Sequence, residues 1–232
     1  ENLDYDVDLV VLGEPSDNKI ALGHRGIAQM WVQFNGRSVH ASVPEKGQNP
    51  NYALAQFIQD VQAAKSELSA HELLGPTTVA PTIIEVDTKS ANVTPAWARV
   101  CLDFRTASES LNSLRAFVQR VVGDQAVLLE DAMCTPPITF PEGDETIYGF
   151  YTPPTDEKVQ RAQSLIGTGM GREAVLSSYQ FATDGRHFVP YNLTMIGYAA
   201  SEESQAHVVD EFISIPKMLE SLRGHVELIK NY

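Results

Sequence analysis

Basic residues are scarce in this chain. Among 232 residues, Lys and Arg number 17 against 30 Asp and Glu, which gives a formal net charge of −13 with His neutral. Nucleic-acid binding relies on clustered Lys and Arg, so this balance argues against nucleic acid as a partner. Cysteine is rarer still: Cys101 and Cys134 form no metal-site spacing. Cys101 lies in an alternating, strand-like run where packing explains it. A structural disulfide is not expected, and a reducing, cytoplasmic compartment is. No apolar run reaches membrane-spanning length, so neither a transmembrane helix nor a membrane partner is expected. The stretch from Glu1 to Asp8 has no basic and no apolar region of the kind a signal peptide needs. No internal repeat or low-complexity segment is visible. What is present, 43% hydrophobic and 20% charged residues, suits a globular chain able to bury one large domain or two small ones.

Hydrophobic patterning divides the chain. Leu9 to Leu12 form a short, nearly continuous apolar run, as in a buried strand of an α/β sheet. It ends at Gly13-Glu14-Pro15, where Pro15 stops the ladder. From Gly26 the pattern alternates, with Ala28, Met30, Val32 and Phe34 on one face and Gln29, Trp31, Gln33 and Asn35 on the other. Asn49-Pro50 opens a helix with Leu54, Phe57, Ile58 and Val61 inward. Strands are expected over 78–86 and 96–105. A second helix starts at Ser108, buries Leu111, Leu114, Val118 and Val121, and stops at Gly123. A last strand runs over 125–131. The order β-α-β-β-α-β is that of the ferredoxin-like unit, which makes a two-layer core by itself.

The remainder reads as α/β. A helix is expected over 156–166, strands over 173–176 and 193–197, and a terminal helix from Ser214 that buries Leu219, Leu222, Val226 and Ile229. The expected organisation is an inserted ferredoxin-like domain, residues 26–135, within an α/β domain made of 1–25 and 136–232. That outer domain contributes one strand before the insertion and has a thin core.

Several short segments carry chemistry. They are Gly13-Glu14-Pro15-Ser16, the stretch from Gly36 through His40 to Pro44, Asn92 to Pro95 with Asp103 to Arg105, Asp184-Gly185-Arg186, and Ala206-His207 with Asp210-Glu211. Spacing alone leaves Glu14 open between a strand-end ligand and an exposed loop carboxylate. A carboxylate and a distant imidazole are suitable ligands for Zn²⁺. In this order the segments resemble the M20 family of metal-dependent peptidases and N-deacylases, over essentially the whole chain.

The resemblance implies an α/β catalytic domain with a ferredoxin-like lid that pairs two subunits into a homodimer. It implies two Zn²⁺ per active site in the intact enzyme, with Co²⁺ or Mn²⁺ as substitutes, and an N-acyl amino acid or small peptide as substrate. Glu14 then corresponds to a carboxylate ligand of one metal and His207 to an imidazole ligand of the other. His40 corresponds to a lid histidine that reaches the partner subunit's active site and steadies the oxyanion. Asn92 and Arg105 correspond to lid residues that touch substrate, although Arg105 reads equally as a salt-bridge partner of Asp103. Arg186 corresponds to the arginine that grips a substrate carboxylate, with Asp184 orienting its turn. His24, His71, His187 and His225 are assigned no chemistry.

The same resemblance exposes a gap. The family's N-terminal histidine, bridging aspartate and consecutive Glu-Glu pair precede the Glu14 strand, and here only 13 residues precede Glu14, with no Glu-Glu pair among them. Glu202-Glu203 lies beside His207 and is wrongly placed. The expectation is therefore part of a dizinc amidohydrolase, inactive alone. The alternative is a non-catalytic dimerisation or binding module derived from such an enzyme.

Overall fold

The computed structural model describes residues 6–129 and 149–232. Eleven strands and four α-helices appear in the order β1 (Val10–Leu12), β2 (Ile20–His24), β3 (Gly26–Asn35), α1 (Pro50–Ala64), β4 (Ala70–His71), β5 (Gly75–Pro76), β6 (Thr78–Val86), β7 (Trp97–Thr106), α2 (Leu111–Val122), β8 (Val127–Leu129), β9 (Phe150–Tyr151), α3 (Glu157–Met170), β10 (Leu176–Tyr179), β11 (Met195–Gly197) and α4 (Ile215–Asn231). They form two compact units. Among the described residues the first comprises 6–25, Glu72–Leu74 and 149–232, and the second comprises Gly26–His71 and 75–129.

The second unit is a four-stranded sheet in the order β6-β7-β3-β8, with every neighbouring pair antiparallel. Strand alternation decides its core. Ala28, Met30, Val32 and Phe34 of β3 and Ala98, Val100, Leu102 and Phe104 of β7 share one buried face. Leu54, Phe57 and Val61 of α1 and Leu114, Phe117 and Val118 of α2 close over it. Asn49 caps α1, its Oδ1 accepting from the Asn51 N–H at 3.1 Å, and Pro50 follows at the first turn. The cap of α2 is Ser110, two residues later than Ser108, because the Ser110 hydroxyl accepts from the Ser113 N–H. Gly123, at φ 61°, ends that helix. The opposite face is less polar than alternation suggests. Trp31 is buried there under the Arg99 guanidinium, 4.4 Å from the ring, and Arg99 pairs with Glu85. Cys101 is buried on β7, while Cys134 and the boundary near residue 135 lie outside the described residues.

The first unit holds a mixed sheet in the order β1-β11-β2-β10, with β9 added to β2. Two strands precede the inner unit, not one. The missed strand is β2, the central one, buried at all five positions. Its short run Ile20-Ala21-Leu22 was too brief to separate from a loop by periodicity. Pairs β1–β11 and β10–β2 are parallel, whereas β11 and β9 run antiparallel to β2. Ile20, Leu22, Ile196 and Tyr198 meet Val159, Ala162, Ile166 and Met170 of α3 in its core. Helix α3, capped by Asp156, runs on to Gly171, a residue in the left-handed conformation at φ 75°. Strand β10 begins three residues later than expected, at Leu176.

Helix α4 reverses an expectation. Leu219, Leu222, Val226 and Ile229 are exposed, Leu222 at 55% and Ile229 at 80%, while Ser221, Gly224 and Leu228 face inward. Small side chains select that face. A Cβ on Gly169 of α3 would stand 2.8 Å from the Gly224 Cα, so the two helices touch backbone to backbone there. Val209, Phe212 and Ile213 extend the exposed apolar surface ahead of the helix.

Candidate functional site

Two clusters hold the residues singled out from sequence. The first gathers around the C-terminal ends of β1 and β11, neighbouring parallel strands whose C-terminal ends are where open α/β sheets place ligands. Glu14 stands two residues past β1, half-buried, and His207 stands in the loop between β11 and α4. Several residues fix the Glu14 turn. Tyr179, buried on β10, donates its hydroxyl to the Glu14 carbonyl at 3.2 Å. Burial pushes the Tyr179 phenol up, and the nearby Glu14 and Glu203 charges push it further, so it remains a proton donor at neutral pH. The Ser16 hydroxyl donates to the Ala199 carbonyl at 3.1 Å and accepts from the Ala199 N–H at 2.9 Å. Asp17 and Asn18 take positive φ, 56° and 57°, and buried Asn18 donates its amide to the Lys217 carbonyl and the Glu220 carboxylate.

Lys217 joins the two loops, donating to Asp17 at 2.6 Å and to Glu202 at 2.5 Å. Burial alone would raise the Asp17 pKa, but the Lys217 ammonium outweighs it and holds the carboxyl below its usual range. His207 is exposed, has φ 63°, and gives its backbone N–H to the Glu211 carboxylate. Burial pushes the Glu203 carboxyl up, against the Gln180 N–H that favours its charged form. Among the described residues no group of three or more His, Cys, Asp or Glu is placed to hold a metal ion. Glu14 and His207 are donors of the kind zinc accepts, but catalytic zinc takes three protein ligands.

Arg186 belongs to the same unit, in a 3-10 segment over Asp184–Tyr191. The cap of that segment is Thr183, whose hydroxyl accepts from the Gly185 N–H at 3.1 Å, and not Asp184. The Asp184 side chain is 81% exposed and lies 3.7 Å from His187. Beneath the turn, Gly185 is buried against Leu12 and Phe150.

The second cluster lies in the four-stranded unit. The loop after β3 is stapled by paired bridges, Arg37 to Gln48 and His40 to Val93, and by Thr94, whose hydroxyl accepts from the Val39 N–H. This pinning brings His40 and Asn92, 52 residues apart in sequence, to 3.4 Å between His40 Nε2 and Asn92 Nδ2. The His40 Nδ1 accepts from the Ser42 N–H at 3.2 Å and lies 2.8 Å from the Ser42 hydroxyl. Asn92 Oδ1 is engaged by the Ser90 hydroxyl at 2.6 Å. The Asn92 amide nitrogen and the His40 ring thus lie side by side at the tip of the loop. Arg105 is not with them: it is paired through Nε with Asp103 at 2.7 Å, and Asp103 also accepts from Gln29.

Sequence reasoning missed Tyr179, Lys217 and Asn18 as supports of the Glu14 turn. Nothing local marks them, because each acts from an element more than 150 residues away or from a turn read only for Glu14. A pointer to Tyr179 existed in Gly197, whose missing side chain leaves room for that ring.

The family described as peptidase dimerisation domain (M20_dimer) matches residues 22–127. A peptidase M20 domain-containing protein of Schizosaccharomyces pombe is 24% identical over 229 residues, 98% of this chain and 49% of the relative. A succinyl-diaminopimelate desuccinylase of Zymomonas mobilis is 26% identical over 57% of this chain and 40% of its own length. Among solved structures, a tripeptidase from Staphylococcus aureus superposes with TM-score 0.72 at 15% identity, over 97% of this chain and 57% of that one. The aminopeptidase PepT of Bacillus cereus gives 0.69 at 17% identity, over 94% and 55%. The chain thus spans about half the length of the curated relatives it matches. Residues 22–127 thus match the M20 peptidase dimerisation domain, and over nearly its whole length the chain is similar to M20 peptidases and shares their fold.

Proposed function

We propose that this chain is the lid-bearing part of a metal-dependent amidohydrolase that cleaves the amide bond of an N-acyl amino acid or a small peptide. The observation that carries the reading is the meeting of His40 and Asn92, 52 residues apart in sequence, within the segment that matches the M20 dimerisation domain. The four-stranded unit is the ferredoxin-like lid, inserted into the catalytic unit, and it pairs two copies. Strand β6 suits that role, because it is an edge strand with Ile83, Ile84 and Val86 exposed.

Glu14 and His207 would hold zinc, each toward one metal of a pair, and the remaining ligands would come from the part of the relatives' length that this chain does not span. When bound, such a pair supplies Lewis acidity and an activated water. The chain's own residues do the rest. Tyr179, Ser16 and Lys217 keep the Glu14 turn in place. His40 Nε2–H and the Asn92 amide donate to the oxygen that gains charge in the transition state. Arg186 binds a substrate carboxylate as a planar fork. Arg105 reaches substrate only by leaving Asp103.

The test uses the complete reading frame that encodes the chain, assayed for amine release from N-acetyl and N-succinyl amino acids and from di- and tripeptides. His40→Ala should lower kcat about 10²–10³-fold, as loss of one oxyanion donor does, with metal content unchanged. His207→Ala should lower metal content as well. Absence of hydrolysis across the panel would favour the non-catalytic dimerisation module, and a normal kcat in His40→Ala would remove the oxyanion role.

A further inference from the structure

His24 closes β2 and is fully buried. Its Nδ1 lies 2.9 Å from the Arg25 carbonyl, and a carbonyl can only accept, so Nδ1 carries a proton. Burial pushes the ring's pKa down. The Arg186 charge pushes it down further, against the Arg25 and Thr183 carbonyls, which favour the proton. The ring is thus neutral and its Nε2 is bare. That Nε2 is buried and has no hydrogen-bond partner among the described residues.

Arg186 has the complementary defect. Its Nε, which always carries a proton, is also buried with no hydrogen-bond partner among the described residues. Among the described residues one further buried side-chain atom shares that condition, Asn18 Oδ1, in an amide already tied through its nitrogen. The orphan acceptor and orphan donor belong to one unit. They also share a support. The His24 ring stands edge-on to Phe150, 4.9 Å between centroids, and Phe150 packs under Gly185, the residue before Arg186. A buried donor and a buried acceptor each left unpaired are costly, and pairing them removes both penalties.

We infer that His24 is the positioning residue of Arg186: its Nε2 is the acceptor for the Arg186 Nε–H when the guanidinium takes a carboxylate. With Nε engaged, only the two terminal Nη groups remain for the ligand, so the carboxylate is gripped end-on and its direction is fixed. This rests on the reading of Arg186 as a carboxylate anchor.

The test uses the 232-residue chain labelled with ¹⁵N at His and Arg, titrated with N-acetylglycine. On saturation the His24 Nε2 resonance should move in the sense of a nitrogen accepting a hydrogen bond, and exchange of the Arg186 Nε–H with water should slow. His24→Phe, which keeps a ring against Phe150, should weaken the probe about tenfold, the size expected for one charge-assisted hydrogen bond. His24→Gln, which restores an acceptor at that reach, should recover most of the affinity. Arg186→Lys should abolish binding. If Arg186→Lys abolishes binding while His24→Phe leaves it intact and the His24 Nε2 resonance stays still, the positioning role is refuted and the anchor role survives. If the wild-type chain does not bind the probe, or Arg186→Lys binds it equally well, the anchor role fails first and the positioning role with it. The wild-type resonances decide the matter even if His24→Phe does not fold.

Discussion

Replacing Gly197 with alanine should loosen the Glu14 turn from beneath. A Cβ at that position would stand 1.8 Å from the Tyr179 Oη and 2.3 Å from its Cζ. The backbone of β11 cannot yield, because Gly197 is paired with Leu12 of β1 on one side and Ala21 of β2 on the other. Tyr179 must therefore move, although it is buried to 2% exposure and its hydroxyl holds the Glu14 carbonyl. Overpacking of this kind costs about 1–3 kcal/mol, and the broken hydrogen bond adds about 1 kcal/mol, so the expected loss is about 2–4 kcal/mol. Urea unfolding followed by far-UV circular dichroism, with hydrogen exchange at β2 and β11, measures it. Both tryptophans, Trp31 and Trp97, lie in the other unit, so their fluorescence serves as the control for a local effect. Tyr179→Phe alone should cost about 1 kcal/mol. Tyr179→Leu combined with Gly197→Ala should cost at least about 1 kcal/mol less than the sum of the two single changes, because the smaller side chain vacates the clash. A Gly197→Ala loss below about 0.5 kcal/mol, the usual size for a neutral substitution, would refute the brace.

Other outcomes follow from the same geometry. On α4, Leu222→Ser should change stability by less than about 0.5 kcal/mol, whereas Leu228→Ala, on the buried face, should cost about 2–5 kcal/mol; equal losses in urea unfolding would contradict the orientation of that helix. Burial alone would raise the Glu109 pKa, but hydrogen bonds from Thr77 and Ser69 outweigh it and hold the carboxyl below its ordinary value, so its contribution to stability is present above that value and is lost as pH falls through the depressed one. Glu109→Gln should thus cost stability at pH 7 and much less in acid, and a loss independent of pH in urea titrations would exclude this linkage. Ile84→Lys on β6 should shift a dimer toward monomer in sedimentation velocity, and an unchanged dimer would move the pairing surface away from that edge.

The inner unit was largely legible from sequence because its strands are long and one-sided. Ten-residue β3 and β7 alternate, and α1 carries a recognisable cap at Asn49, whereas the α2 cap falls at Ser110, two residues past the expected Ser108. The outer unit was harder to read because its strands are three to five residues long, or only two in β9, and are assembled from distant parts of the chain. Strand β2 shows why: buried on every side, it has no polar face to alternate with.

Helix α4 shows a different limit. Its periodicity correctly marked an amphipathic helix, but periodicity reports that two faces differ, not which of them meets this chain. That choice was made by Gly224 and Ser221, whose small size lets α3 and Tyr198 come close, while the larger apolar residues were left outward. The site follows the same division. His40 and Asn92 could be named from motifs because the loop that carries each is marked by its own sequence. Their convergence could not, since it depends on the His40–Val93 bridge and on Thr94 reaching Val39 across 55 residues. His24 is the extreme case: a histidine with no motif of its own, given a chemical identity only by a carbonyl that fixes its tautomer and by burial which, with the Arg186 charge, pushes its pKa down.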